Sequence, residues 1–254
     1  NIKFSEGNYL IIPKCTIYRI DFNGSDNHLL IIEANSHVTI PRKYRNQSGQ
    51  IMEHAPYYER DFHPPEELET YAQKGDFLLK IKKGFQIDNI VLAFHPFSVV
   101  GWDGYCYPYR FSIYDFAPIV GKLHLPPPVH QTFEGHNFVI CSFCARPFDF
   151  HPEAIPVPYH HSNVDSDEVI YYFKGNFMSR KGIGEGDITL HPMGVPHGPQ
   201  PGVIEKSIGA KYTDEYAVMI DTFRQLWITE EALKIEKENY HLSWLEEMPE
   251  KTPS

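Results

Sequence analysis

The 254-residue chain carries 33 acidic and 23 basic side chains, a net charge of −10, and 42% of its residues are apolar. That length and balance suit one large or two small globular domains. The acidic surplus leaves no basic patch to neutralise phosphates, which argues against nucleic acid or an anionic membrane as partner. No apolar run reaches the roughly 18 residues of a membrane-spanning helix. No secretory leader is visible, and Cys15, Cys106, Cys141 and Cys144 read as reduced thiols of a cytoplasmic protein.

Short runs rich in β-branched and aromatic residues follow one another along the chain. They are NYLIIP (8–13), HLLIIEA (28–34), DFLLKIKK (76–83), NIVLAF (89–94) and FVICSF (138–143), with Pro and Gly between them. This spacing predicts an all-β sandwich or barrel. Two stretches read as helices. HPPEELETYAQ (63–73) has Pro at its entry and acids in its first turn. ITEEALKIEKEN (228–239) has Thr229 as N-cap, followed by Glu230 and Glu231. Cys141 and Cys144 form a C-x-x-C with no second pair and no following helix, so they read as ordinary buried thiols.

Chemistry concentrates between Tyr159 and Pro199. In a first block, His161 and Asn163 precede Glu168, which opens the strand-like run DEVIYYFKGNF and is followed by Gly175. In a second, Gly186, Pro192, Gly194 and His197 punctuate GDITLHPMGVPHG, which reads as strand, turn and return. His161, Glu168 and His197 thus offer two imidazoles and one carboxylate from neighbouring strands. Such a set binds one face of a metal and leaves the other open, which suits a non-haem Fe(II) oxygenase. A structural zinc site would be closed, with four ligands and often Cys, and neither block contains Cys. Tyr159, His160, Asp165 and Asp167 flank the trio and could orient its imidazoles, although each alone reads more simply as a solvated loop residue.

Gly7, Pro13, Cys15 and Tyr18 repeat the spacing of Gly186, Pro192, Gly194 and His197. The first copy carries Tyr where the second has its metal-ligating His. The pattern predicts two related barrels, of which the second binds metal. Because the first copy starts at residue 7, the first barrel is expected to be incomplete, its earlier strands lying outside this sequence.

The two blocks resemble the paired motifs of the cupin superfamily, with Asn163 standing where many cupins have a further His. HPFSVVGWDGYCYPYRFSIYDF (95–116), YHHSN, MGVPHGP, IEKS (204–207) and ENYHLSW (238–244) extend the likeness to the homogentisate 1,2-dioxygenase family. The resemblance implies a bicupin, with residues 1–94 as the remainder of an N-terminal cupin half and 95–254 as the metal-binding half. It implies Fe(II) held by His161, Glu168 and His197, and cleavage of homogentisate with O₂ to maleylacetoacetate in tyrosine and phenylalanine catabolism. It further implies His124 as the group that hydrogen-bonds or deprotonates a ring hydroxyl, His191 as a second pocket His, and assembly into a homo-oligomeric trimer or hexamer. Three departures stand out. The interval from His161 to Glu168 is one residue longer, Phe177 replaces a substrate-contacting Tyr, and His130 replaces an apolar residue. Phe177 keeps open another hydroxylated aromatic acid, such as gentisate, as substrate. Asn163 and the incomplete first barrel keep open a silent cupin acting as a binding module. An acidic substrate would need a local cation, for which Arg110, Lys122, Arg146 and Lys206 are candidates by proximity to the motifs.

Overall fold

The computed structural model describes residues 1–245. The fold is all-β, with two α-helices of five residues each among the described residues, α1 (Val203–Ser207) and α2 (Glu230–Lys234). The chain separates into two compact units.

One unit comprises Asn1–Asn27 and Glu59–Asp115. It contains β1 (Asn8–Ile11), β2 (Phe62–His63), β3 (Lys74–Lys83), β4 (Gln86–Phe94) and β5 (Tyr109–Ser112). Strands β1, β5 and β2 form one antiparallel sheet, with β5 in the middle. Phe111 of β5 is fully buried because its neighbours on both sides are aromatic: Phe62 stacks on it at 5.1 Å and Tyr9 at 6.2 Å. Burying such a ring contributes about 2–3 kcal/mol. Strands β3 and β4 form a separate hairpin, closed by Gly84–Phe85 with Gly84 at φ 58.

The second unit comprises His28–Tyr58 and the chain from Phe116 onward. It contains β6 (Gln131–Gly135), β7 (Phe138–Phe143), β8 (Arg146–Pro147), β9 (Asp167–Lys174), β10 (Ile188–His191), β11 (Tyr212–Thr213) and β12 (Tyr216–Thr222). Five of these form one antiparallel sheet in the order β10-β9-β12-β7-β6. Strand β12 is central, and Ala217, Val218, Met219 and Ile220 are all buried, as a strand covered on both faces requires. The sheet's register is therefore fixed over β7, β12 and β9, and this carries β9 into a defined position beside β10.

Two sequence expectations fail. Residues 28–34 form no strand, despite their apolar run. Residues 63–73 form no helix: His63 of β2 pairs with Arg110 of β5, and His63 and Pro64, each preceding a proline, are pushed toward extended backbone. The second helix forms where expected but stops at Lys234, and Thr229 caps it by accepting from the Ala232 N–H at 3.2 Å.

The internal repeat is a repeat of backbone conformation. Gly7 and Gly186 precede β1 and β10 with φ of 80 and 86. Eight residues on in each copy, Cys15 and Gly194 also take positive φ, 64 and 77. Gly adopts this region without cost, whereas Cys15 does so against its Cβ.

Candidate metal centre

Strand pairing builds the centre. Glu168 lies directly opposite His191 on β10 and directly opposite Asp221 on β12. Directly opposed residues share a sheet face, so three polar side chains collect on one face at the start of β9. His161 and His197 lie outside the named strands and bridge each other. The His161 N–H donates to the His197 carbonyl at 2.9 Å, and the His197 N–H donates to the His161 carbonyl at 2.8 Å. Sequence reading finds both histidines but not this bridge, which brings the two motif blocks together.

The same device orients both imidazoles. Each Nδ1–H donates to the carbonyl two residues upstream, His161 to Tyr159 at 3.1 Å and His197 to Val195 at 3.0 Å. Both Nε2 atoms are left uncommitted to these carbonyls. One ligand atom from each of His161, Glu168 and His197 lies within 4.8 Å of the others. The Nε2 of His197 is buried without a hydrogen-bond partner, 3.6 Å from Glu168 Oε1, a distance too long for a full hydrogen bond. An unpartnered buried lone pair beside a carboxylate is what a metal ion would satisfy. The donor set fits a divalent first-row metal: two imidazoles and one carboxylate, with no thiolate.

Electrostatics keep the Glu168 carboxylate ionised. Burial alone would raise the Glu168 carboxyl, but the hydrogen bond from His191 at 2.7 Å and the pull of His197 outweigh it and hold it well below the usual carboxylate range. Burial lowers His191 below its ordinary value, more than Glu168 raises it. His191 is thus a neutral ring with its Nδ1–H on Glu168, stacked on His197 at 4.4 Å and 12°. His197 itself is raised, because Glu168 and the Val195 carbonyl outweigh burial. Asp221, desolvated and facing Glu168, is pushed up to about 6.

Asp167, one residue before the carboxylate ligand, points to the opposite face of β9. It is buried, and its two oxygens accept from the Met193 N–H at 2.8 Å and the Leu226 N–H at 2.7 Å. It ties the turn before His197 to the strand carrying Glu168. The Asn163 carbonyl accepts from the Gly194 N–H at 2.7 Å and holds the same turn from the other side. His160 bonds the Pro199 carbonyl at 2.8 Å, and Asp165 is exposed.

The remaining sequence candidates lie at different distances from the trio. His124 packs edge-on against Tyr159 at 5.3 Å, and Tyr159 lies 5.3 Å from His161. Its pKa is lowered by desolvation and by Arg146 and His161, more than Asp149 raises it. Phe177 is buried against Tyr172 at 4.9 Å, edge to face. His130 is buried beside Phe143, its Nδ1 unpartnered, and desolvation pushes its pKa down to about 3. It is a neutral core residue. Lys122 and Lys206 are exposed, Arg110 belongs to the other unit, and Arg146 donates to the Cys144 carbonyl at 3.0 Å. Cys141 and Cys144 are buried and in no disulfide, and burial pushes each thiol up to about 12. Two charged groups at the centre escaped sequence reading. Asp221 is located only by the β12 register, and Arg180 lies in the Gly-rich segment between the two blocks, where nothing in the spacing marks it.

Strand architecture and ligand set define an all-β protein with a two-His, one-carboxylate centre. No family model matches the chain. It is 45% identical over 96% of its length to a Saccharolobus solfataricus protein named as a putative dioxygenase, of which it covers 63%. Against homogentisate 1,2-dioxygenase of Mus musculus it is 25% identical over 94% of its length, covering 62% of that protein. Against the Homo sapiens enzyme it is 28% identical over 59% of its length, covering 37% of that protein. The chain therefore spans less than two thirds of the length of these relatives. No helix among the described residues is long and apolar enough to cross a membrane.

Proposed function

We propose that the chain is an Fe(II)-dependent cupin dioxygenase that opens the ring of a dihydroxyphenyl acid, with homogentisate as the foremost substrate and maleylacetoacetate as the product. The observation that carries this reading is the convergence of His161, Glu168 and His197, with each imidazole held through its Nδ1 on a main-chain carbonyl. The dioxygenase names of its relatives support it. Bound to this trio, Fe(II) would supply open positions at which a ring hydroxyl and O₂ meet.

The chain's own residues prepare that meeting. The Nδ1–H bonds to Tyr159 and Val195 fix the two ligand rings, so no reorganisation is needed when substrate arrives. His124, kept neutral by its lowered pKa, is able to accept a ring hydroxyl proton, and Tyr159 packs between it and His161. His191 keeps its proton at Nδ1 on Glu168 and cannot release it without unpairing the carboxylate. Phe177 is buried and has no hydroxyl, which makes a relative of homogentisate such as gentisate the second substrate to test. In this proposal residues 95–254 are the metal-binding cupin half of a bicupin, acting in the cytoplasm within a trimer or hexamer.

O₂ uptake by protein loaded anaerobically with Fe(II), with homogentisate and gentisate side by side, tests the reading. Uptake with homogentisate and a ring-opened absorbing product is the expected result. Uptake with gentisate alone would overturn the substrate. Stoichiometric iron with uptake on neither would overturn the activity.

A further inference from the structure

Arg180 lies in the segment between β9 and β10. Its Nη1 donates to the Gly198 carbonyl, next to His197, and lies 3.4 Å from the Ser179 carbonyl. Its Nη2 lies 3.5 Å from His191 Nε2, at the limit of a hydrogen bond. Its Nε is buried and has no partner. No carboxylate among the described residues forms an ion pair with it.

A guanidinium has five N–H groups, and the Nε–H and one Nη2–H point the same way as a fork matched to a carboxylate. In Arg180 Nη1 is spent on main-chain carbonyls and Nη2 faces His191 Nε2, so of the fork the buried Nε–H is the donor without an acceptor. A buried donor without an acceptor costs about 1–3 kcal/mol, so the fork is set for an acceptor that the protein does not supply. His191 links this cation to the centre, with its Nδ1 on Glu168 at 2.7 Å and its Nε2 facing Arg180. The guanidinium therefore lies one imidazole away from the ligand carboxylate. Charge agrees with geometry. The chain has a net charge of −10, and Glu168 and Asp221 share the site's face, so an anionic substrate needs a fixed cation close by.

We propose that Arg180 is the carboxylate receptor of this site and sets its preference for acidic over neutral dihydroxyarenes. The assignment rests on the ring-opening reading above for its substrate class. It is tested with Arg180→Met and Arg180→Lys, using homogentisate and its neutral methyl ester. The readouts are KM and kcat from O₂ uptake, and anaerobic calorimetric binding of each compound. The unaltered protein is expected to favour the acid, and Arg180→Met to weaken acid binding roughly 10–100-fold, the worth of a charged fork, so that the acid-to-ester ratio collapses toward one. Lysine keeps the charge without the fork and is expected to restore part of the ratio. Equal weakening of acid and ester would make Arg180 a prop for Gly198 and overturn the assignment, as would an unchanged ratio. Should Arg180→Met lose its fold or its metal, the ratio measured with Arg180→Lys decides alone: a full ratio overturns the receptor role, a reduced one upholds it. The two readings fail separately. Arg180-dependent binding of the acid without O₂ uptake would sink the ring-opening reading and leave the receptor standing. Uptake with an acid preference that survives both substitutions would do the reverse.

Discussion

Glu168 and His191 face each other across the β9–β10 ladder, and the imidazole Nδ1 lies 2.7 Å from carboxylate Oε1. His191 is therefore not a spare histidine near the centre. It turns the ligand carboxylate, lowers its pKa and shields His197 by stacking on it. Removing the ligand and removing its orienting partner should differ in degree. Glu168→Ala should abolish stoichiometric metal. His191→Phe keeps a ring against His197 but removes the donor, and should weaken metal binding about 10–100-fold. Competition against a chromogenic chelator measures both. Equal loss in the two variants would mean that His191 is itself a ligand.

Asp167 should matter nearly as much without touching the metal. Its carboxylate accepts two backbone N–H groups, one from the turn that delivers His197. Hydrogen bonds to a charged acceptor contribute about 1.5–3 kcal/mol each. Asp167→Ala should lower the melting temperature by several degrees and also raise the metal dissociation constant. Asp167→Asn, which retains one acceptor oxygen, should fall between. A loss of stability with unchanged metal affinity would show that the turn holds its shape without the tie.

The residues that sequence reading locates are those whose chemistry is rare and whose spacing is local. His161, Glu168 and His197 stand out as ligand types placed around turn glycines, and β9 and β10 stand out by composition. What stays hidden depends on register. Nothing local puts Asp221 opposite Glu168, or brings Arg180 to His191 across the intervening segment. The misread helix at 63–73 has a similar cause. Acids after a proline suggest a helix start, but His63 is already committed to pairing with Arg110, and the choice is made by a strand almost fifty positions away. Residues 28–34 show the converse limit, since an apolar run needs a partner strand before it becomes one.

The repeat supplies a prediction far from the metal. Cys15 sits at φ 64 where its counterpart Gly194 sits at φ 77. A side chain in this region costs about 1–2 kcal/mol, partly offset by the greater freedom that Gly has in the unfolded chain. Cys15 is exposed and forms no disulfide, so little packing is lost on its removal. Cys15→Gly should stabilise the protein by about 0.5–1 kcal/mol, and Gly194→Ala should destabilise it by about 1 kcal/mol or more. Urea midpoints of the two variants provide the check, and a destabilised Cys15→Gly would mean that the thiol makes a contact worth more than the strain.

His130 gives the clearest dependence on pH. Burial, with Arg146 and His124 adding to it, takes it from an ordinary value of 6.5 down to about 3. A base held low is neutral in the fold. Below about pH 6.5 the unfolded chain takes up a proton that the folded chain refuses, so stability is complete above that pH and falls as the pH drops toward 3. Each pH unit in this window is worth about 1.4 kcal/mol, which makes the loss at pH 5 about 2 kcal/mol. His130→Phe keeps an aromatic ring against Phe143 and abolishes both the titration and the unpartnered Nδ1. The variant should melt close to the unaltered protein at pH 8 and several degrees above it at pH 5. Melting curves at the two pH values decide the matter, because a shift of the same size at both would mean that packing, and not the refused proton, sets the cost of the histidine.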